Sequence, residues 1–409
     1  MNLRWISAVC LLLAAAAGCG SPAPEFRRYE TFAHKTASSI GDDFTFSGQQ
    51  RQDIDESLEA LFGTPDDPVV PAVEGADQLL RIGLLRLAAG RVASDQSGQP
   101  RGLYREHCAH CHGITGDGVG PTAAFLNPYP RDYRPGKFKF KSTPIGQRPT
   151  HADLKKIVLD GIPGTAMPSF ALLPDPEVEA LVEYVKYLSV RGEVERQLIY
   201  ETAQLSEGDR LIDVHGTAPE RQQEQVEALK TFAGDVVAKW ASAAENVTPV
   251  PQRPDFATPE ELTASIHRGR DLFFGTVANC VKCHGETALG DGQTNDYDEW
   301  TKEFTEGKLE KHDEYVALGL LSPRQIQPRN LRLGIYRGGM RPIDLYWRVR
   351  NGIEGTPMPA STMKPEGDPN AKGLTENDLW DIINYVQSLP YESISDPSAS
   401  EPQNLRERS

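Results

Sequence analysis

The sequence is poor in sulfur and short of positive charge, and it lacks any long apolar run in its body. Its 43 Lys and Arg are outnumbered by 58 Asp and Glu, for a net charge of −15 in 409 residues. A surface of that sign repels a polyanion, so nucleic acid is an unsuitable partner. After the first twenty residues no stretch is both apolar and long enough to span a bilayer. Leu79 to Ala89 comes nearest, and Arg81 and Arg86 interrupt it. There are six cysteines. Cys10 and Cys19 belong to the leader, and the other four form two Cys-x-x-Cys pairs, so none remains for a structural disulfide. Methionine is scarcer still, with five including the initiator. What remains is 39% apolar and 25% charged, the balance of a globular chain of several domains.

The leader is an export signal. Arg4 supplies its positive start and Ile6 to Ala17 its short apolar stretch. It ends in Ala16-Ala17-Gly18-Cys19, which resembles a bacterial lipoprotein signal, although Ala16 stands where such signals usually carry Leu. The expectation is an exported, periplasmic protein, acylated at Cys19 and held to a membrane by that lipid. An ordinary signal peptide cut nearby is the competing reading.

The body contains an internal repeat. The segment from Gly102 through Cys108-Ala109-His110-Cys111-His112 to Gly116-Asp117-Gly118 returns from Gly269 through Cys280-Val281-Lys282-Cys283-His284 to Gly290-Asp291-Gly292. Asp153-Leu154 with Gly161-Ile162-x-Gly164-Thr165-x-Met167-Pro168 returns, 191 residues later throughout, as Asp344-Leu345 with Gly352-Ile353-x-Gly355-Thr356-x-Met358-Pro359. A third block, Leu181-Val182-x-Tyr184-Val185-x-x-Leu188, returns from Ile382 to Leu389. Three blocks in one order mean a duplicated domain. Each copy reads as a short helix before the Cys pair, a helix before the methionine loop (Asp153–Asp160, Asp344–Asn351), and a closing amphipathic helix that starts at Asp175-Pro176 or Thr375-Glu376.

The resulting division is a leader over 1–19, an N-terminal extension over 20–95 and a first repeat over 96–195. A linker over 196–255 follows, helical from Arg221 to Ala244, then a second repeat over 256–392 and a disordered tail over 393–409. The second copy carries an acidic insertion over 293–321, expected to be a solvated excursion or a docking surface for a basic partner. The copies differ in charge: residues 97–190 hold 11 Lys and Arg against 9 Asp and Glu, while 256–392 hold 15 against 21.

Cys-x-x-Cys-His is the attachment motif of haem c. Two thiols a helical turn apart each add to one vinyl group of the same porphyrin, and the next His is carried under the iron. Cys108, Cys111, Cys280 and Cys283 are therefore the attachment residues for two covalent haems, and His112 and His284 the proximal ligands. The competing readings are a zinc site shared by the two Cys pairs and a redox dithiol. Zinc does not favour thioether, and a thioredoxin-like dithiol needs a βαβ context that is absent. Met167 and Met358 are the candidate sixth ligands. They lie 55 and 74 residues beyond His112 and His284, in register, in Gly/Pro loops rather than on apolar helix faces. Met340 and Met363 are substitutes without a counterpart in the first copy.

These residues together resemble the class I cytochrome c family, over just over half the chain. The resemblance implies an all-α fold of two tandem cytochrome c domains joined by a largely helical linker. It also implies that Gly102 with Tyr104, and Gly269 with Phe273, meet Tyr184 and Tyr385 across a helix pair. It implies a proline whose carbonyl orients the proximal His: Pro121 fits in the first domain, and the second has no equivalent. Arg131 and Arg329, each after a Pro, are candidate propionate contacts. The basic run Arg131, Arg134, Lys137, Lys139 and Lys141 reads as solvated surface, or as a contact for propionates or an acidic partner.

With both axial positions filled, iron suits outer-sphere electron transfer rather than catalysis. The expectation is an electron carrier, not an enzyme, serving redox partner proteins such as a membrane respiratory complex or oxidase. The alternatives are a haem subunit of a larger dehydrogenase or respiratory complex, and a dihaem redox enzyme of the peroxidase or thiosulfate-oxidising type.

Overall fold

Cap residues and apolar spacing mark helices along the whole chain, and helices are what the computed structural model contains. It describes residues 24–391 except 42, 207–208, 214–217, 306–310, 366 and 369, so the leader, Cys19 and the tail over 393–409 lie outside the described residues. The chain opens with α1 (Glu30–Ile40), α2 (Gly48–Phe62), α3 (Ala76–Leu79) and α4 (Ile82–Ala88). A two-stranded ribbon, β1 (Ala93–Ser94) with β2 (Pro100–Arg101), is the only sheet among the described residues. The first repeat follows as α5 (Leu103–His107), α6 (Ala109–His112), α7 (His151–Asp160) and α8 (Asp175–Ala203). The linker forms α9 (Pro219–Ala241) and a 3₁₀ turn over Ser242–Asn246. The second repeat supplies α10 (Pro259–Phe274), α11 (Val281–His284), α12 (Glu299–Thr305), α13 (His312–Ala317), α14 (Pro342–Asn351) and α15 (Glu376–Ser388).

Helix starts fall where their chemistry puts them. Ser47, Thr150 and Thr375 close capping boxes on α2, α7 and α15, and Pro sits in the first turn of α8, α9, α10 and α14. Among the described residues no helix is long and apolar enough to cross a membrane.

Two separate cores form. The first is built on α8, whose 29 residues run about 44 Å. Helices α1, α2, α4, α7 and α9 pack around it. The charges that α8 buries are met: Glu183 by Arg81 and Lys186, Glu193 by Arg148 and the Trp240 indole, Glu195 by Arg191 and the Tyr29 amide. The N-terminal extension supplies Tyr29, Leu58, Phe62 and Leu85 to this core.

The second core lies between α10 and α15, around Phe273, Tyr346, Trp380 and Ile383. The two helices cross at Gly269, where an added Cβ would stand 1.9 Å from the Asp381 carbonyl oxygen and 2.9 Å from Tyr385 Cβ. Gly269→Ala must push this crossing apart. A loss of at least the ~1–3 kcal/mol of an overpacked core is expected in denaturant unfolding of the second domain, and no loss would show that the helices separate freely.

Three expectations change here. Gly102, expected to meet Tyr184, stands against the backbone of Arg91 and Val92, whose atoms are the nearest to its Cβ position. It has φ +74° and turns the chain from the ribbon into α5, and its Cβ position faces the Arg91 carbonyl at 2.4 Å. The aromatic half of that expectation holds, with ring centroids 4.8 Å apart for Tyr104 and Tyr184 and 5.4 Å for Phe273 and Tyr385. The acidic insertion is no solvated excursion in its described part. Phe304 and Tyr315 are buried in the first domain's core, Glu303 pairs with Arg196 and Lys35, and Glu314 with His34. Asp296 pairs with Lys302 inside the insertion. The basic run is not solvated either: Arg134 and Lys141 are buried, paired with Asp132 and with Glu354 of the second domain.

Candidate functional site

Each Cys-x-x-Cys-His segment is a single helical turn. The amides of His112 and His284 donate to the carbonyls of Cys108 and Cys280, each at 2.9 Å. That turn brings the two thiols and the imidazole of each motif to one side. Burial pushes the Cys108 thiol up to about 12 and Cys280 up to about 11. A redox dithiol needs the opposite shift, toward thiolate. Among the described residues no three His, Cys, Asp or Glu side chains converge so as to hold a metal ion by themselves, which a zinc site shared by the Cys pairs would require.

Both imidazoles are oriented; His112 is buried and His284 half-buried. His112 Nδ1 lies 3.0 Å from the Arg131 carbonyl oxygen, and His284 Nδ1 lies 3.2 Å from that of Arg329. A carbonyl can only accept, so the proton sits on Nδ1 and the Nε2 lone pair is left for a metal. Burial lowers His112 to about 4 and lowers His284 as well, so both rings are neutral at physiological pH. This corrects the role expected of Pro121. The orienting carbonyl comes from the residue after Pro130 in the first copy and after Pro328 in the second, and both domains have it.

The methionine loops are built identically. In the first, the Ile162 amide donates to the Met167 carbonyl at 3.1 Å, the Thr165 hydroxyl donates to the Ile162 carbonyl at 2.8 Å, and the Met167 amide donates to that hydroxyl at 3.1 Å. In the second, Ile353, Thr356 and Met358 repeat this at 3.1, 2.7 and 3.2 Å. Thr165 and Thr356 thus close the loops. The repeated Gly-Thr-x-Met carried that signal, and the threonines were passed over beside the methionines.

Both halves open into one cavity of about 1290 Å3. It is larger than the ~300–1,000 Å3 usual for one small-molecule site. Cys108, Cys111, His112 and Met167 line it together with Cys280, Cys283, His284 and Met358, and Met340 and Met363 do not. The walls are apolar, with Leu154, Val158 and Val185 from one domain and Leu345, Val349 and Val386 from the other.

Its charge is mostly positive where the domains meet. Arg131, Lys139, Arg329, Arg337 and Arg348 all line it. Burial, with Arg131 beside it, lowers Lys139 to about 7, and burial lowers Arg348 to about 10. Arg337 is lowered by burial and by Arg329, and its buried Nε has no hydrogen-bond partner among the described residues. A cationic pocket of this kind suits carboxylates, and haem propionates supply them. Arg131 and Arg329 line this cavity, and Arg337 and Arg348, which the sequence reading did not single out, line it with them. Two sets of paired thiols, neutral imidazoles and thioethers around an apolar cavity with a cationic rim fit two haems.

Two family models match the two repeats. Residues 96–185 match the family model described as cytochrome c oxidase, cbb3-type, subunit III, and residues 266–390 match the model described as cytochrome c. Among solved structures the chain is similar to one from the reducing HAO-like protein complex of Kuenenia stuttgartiensis, at 23% identity, covering 73% of this chain and 97% of that one with a TM-score of 0.44. No curated protein matches the chain.

Proposed function

Two cytochrome c domains make this chain a dihaem c-type cytochrome, an electron carrier with two covalently bound haem c groups, and on that premise we propose that it passes electrons between components of a respiratory chain by outer-sphere transfer through two His/Met haems. The observation that carries this reading is the pair of methionine loops, each closed by its own threonine and each lining the cavity that holds the Cys and His of both motifs. Bound haem supplies one electron per iron as it moves between the ferric and ferrous states. The protein does the rest. It would anchor each porphyrin at two thiols, keep each imidazole neutral by burial with its Nδ1 proton turned to the carbonyl of Arg131 or Arg329, and offer a thioether as a further ligand. Thioether favours the ferrous state and raises the potential. A dihaem enzyme needs a distal position that opens, and loops of the same construction in both copies favour a carrier.

The export signal and the cysteine after it support a periplasmic protein held to a membrane by acylated Cys19, close to a respiratory complex or oxidase as partner. Mass spectrometry of the mature N-terminus is expected to find a lipid on Cys19, and an unmodified cysteine would end that reading. A pull-down from membranes with haem staining should bring down a redox complex. Recovery of the cytochrome alone would argue against a membrane partner.

A further inference from the structure

The two domains meet on the cavity side, and each reaches across to the loop that carries the other's methionine. The reach is unequal. From the second domain, Arg337 Nη2 donates to the Gly164 carbonyl at 3.3 Å, three residues before Met167. From the first, Lys141 Nζ lies 2.5 Å from Glu354 Oε2, four residues before Met358, with both side chains more than nine-tenths buried. The Gly146 amide donates to the other oxygen of Glu354 at 3.2 Å. By the constant offset of the repeat, the counterpart of Glu354 in the first copy is Pro163, which can form no ion pair.

Lys141 stands on a rigid base. Its ammonium also donates to the carbonyls of Pro144 and Gln147. The next residue, Ser142, donates through its amide and its hydroxyl to Asp153, in the capping box of α7, at 3.1 and 2.9 Å. Thr143 donates to the Arg148 carbonyl, and Arg148 pairs with Glu193 on α8. The far side is equally fixed. Asn351, the last residue of α14, donates to the Ser142 carbonyl at 3.2 Å and accepts from the Thr248 hydroxyl of the linker at 2.8 Å. A side chain held by α7 and α8 of one domain therefore grips the methionine loop of the other, in a low-dielectric setting where the attraction within such an ion pair is strong.

We infer that Lys141 is a positioning residue for Met358: through Glu354 the first domain holds the second domain's methionine loop closed, so that ligation in the second domain depends on the docking of the first. This rests on Met358 being the sixth ligand. The dependence runs mainly one way, because the first copy has no acid at the matching position. It makes the second haem's ligation sensitive to the domain contact, and the first haem's less so.

The test is spectroscopic and uses the full-length, haem-loaded protein. In Lys141→Met, and in Lys141→Met with Glu354→Gln, which strands no charge and protects folding, oxidised protein should lose about half of the weak red absorption of Met sulfur on ferric haem. Ferrous protein should bind carbon monoxide at one haem, and one of the two potentials should fall while the other holds. If the double variant keeps the whole absorption, both potentials and no carbon monoxide binding, the pair only docks the domains and the inference is overturned, even if thermal stability falls. Met358→Ala separates this from the reading it rests on. It should produce the same loss, and an unchanged spectrum in that variant would reject Met358 as ligand whatever Lys141 does.

Discussion

Met167→Ala should remove about half of the red absorption of the oxidised protein, open one ferrous haem to carbon monoxide, and lower one potential by a tenth or more of the roughly 0.8 V that axial ligation spans. The effect should be clean because the loop does not depend on the thioether. Its closing bonds run through the Ile162 and Met167 backbone and the Thr165 hydroxyl, and all survive the substitution. No spare methionine is at hand. Met340 is exposed and belongs to the other domain, and Met363 does not line the cavity. The second loop shares none of these bonds, so the second potential should move far less than the first. A redox titration of Met167→Ala that overlays the wild type would remove Met167 from the iron and return the first haem to the open-site class expected of an enzyme.

What could be read from the residues was local. The Cys-x-x-Cys-His turns, the methionine loops and the closing helices each depend on bonds within a few residues, and the duplication showed each of them twice. The starts of α8 and α15 and the linker helix followed from caps and spacing, and the all-helical class from the family resemblance. What could not be read was what approaches from a distance. Pro121 was expected to supply the orienting carbonyl because the resemblance implies a proline there, yet the loop brings back the Arg131 carbonyl, 19 residues after His112. Glu303, in the acidic stretch over 293–321, looked like surface because its cations, Lys35 and Arg196, sit in other elements. Nothing in the residues near Ser142 announced Asn351, which is 209 residues away and closes the joint between the domains. Charges with distant partners look solvated in a sequence, and here several of them are the interior of an interface.

The largest loss of stability is expected from one such misread charge. Arg134 lies in the basic run, but its guanidinium is held by Asp132 at both ends, Nε to Oδ1 at 3.0 Å and Nη2 to Oδ2 at 2.9 Å, under the Tyr29 ring at 3.6 Å. Each side chain is 8% exposed, so Asp132→Ala strands a cation where water cannot reach it. Breaking a buried pair from one side costs about 3–5 kcal/mol. At ~2–4 °C per kcal/mol for a unit of this size, the first domain's Tm should fall by roughly 6–20 °C. Replacing both partners, Asp132→Leu with Arg134→Met, should recover most of it, because the penalty comes from the stranded charge and not from lost attraction. The second domain provides the control. Asn330 stands in the place of Asp132, after Arg329, and its side chain accepts from the Arg332 amide at 3.0 Å, as Asp132 accepts from the Arg134 amide at 3.0 Å. The turn is the same but the acceptor is neutral, so Asn330→Ala should cost only about 1 kcal/mol, the worth of one hydrogen bond. Equal losses in the two variants would mean that the turn and not the buried charge sets the stability. The unequal losses expected here would show that the first domain fastens its proximal-histidine segment to Tyr29 and the N-terminal extension with an ion pair, and the second holds the matching segment without one.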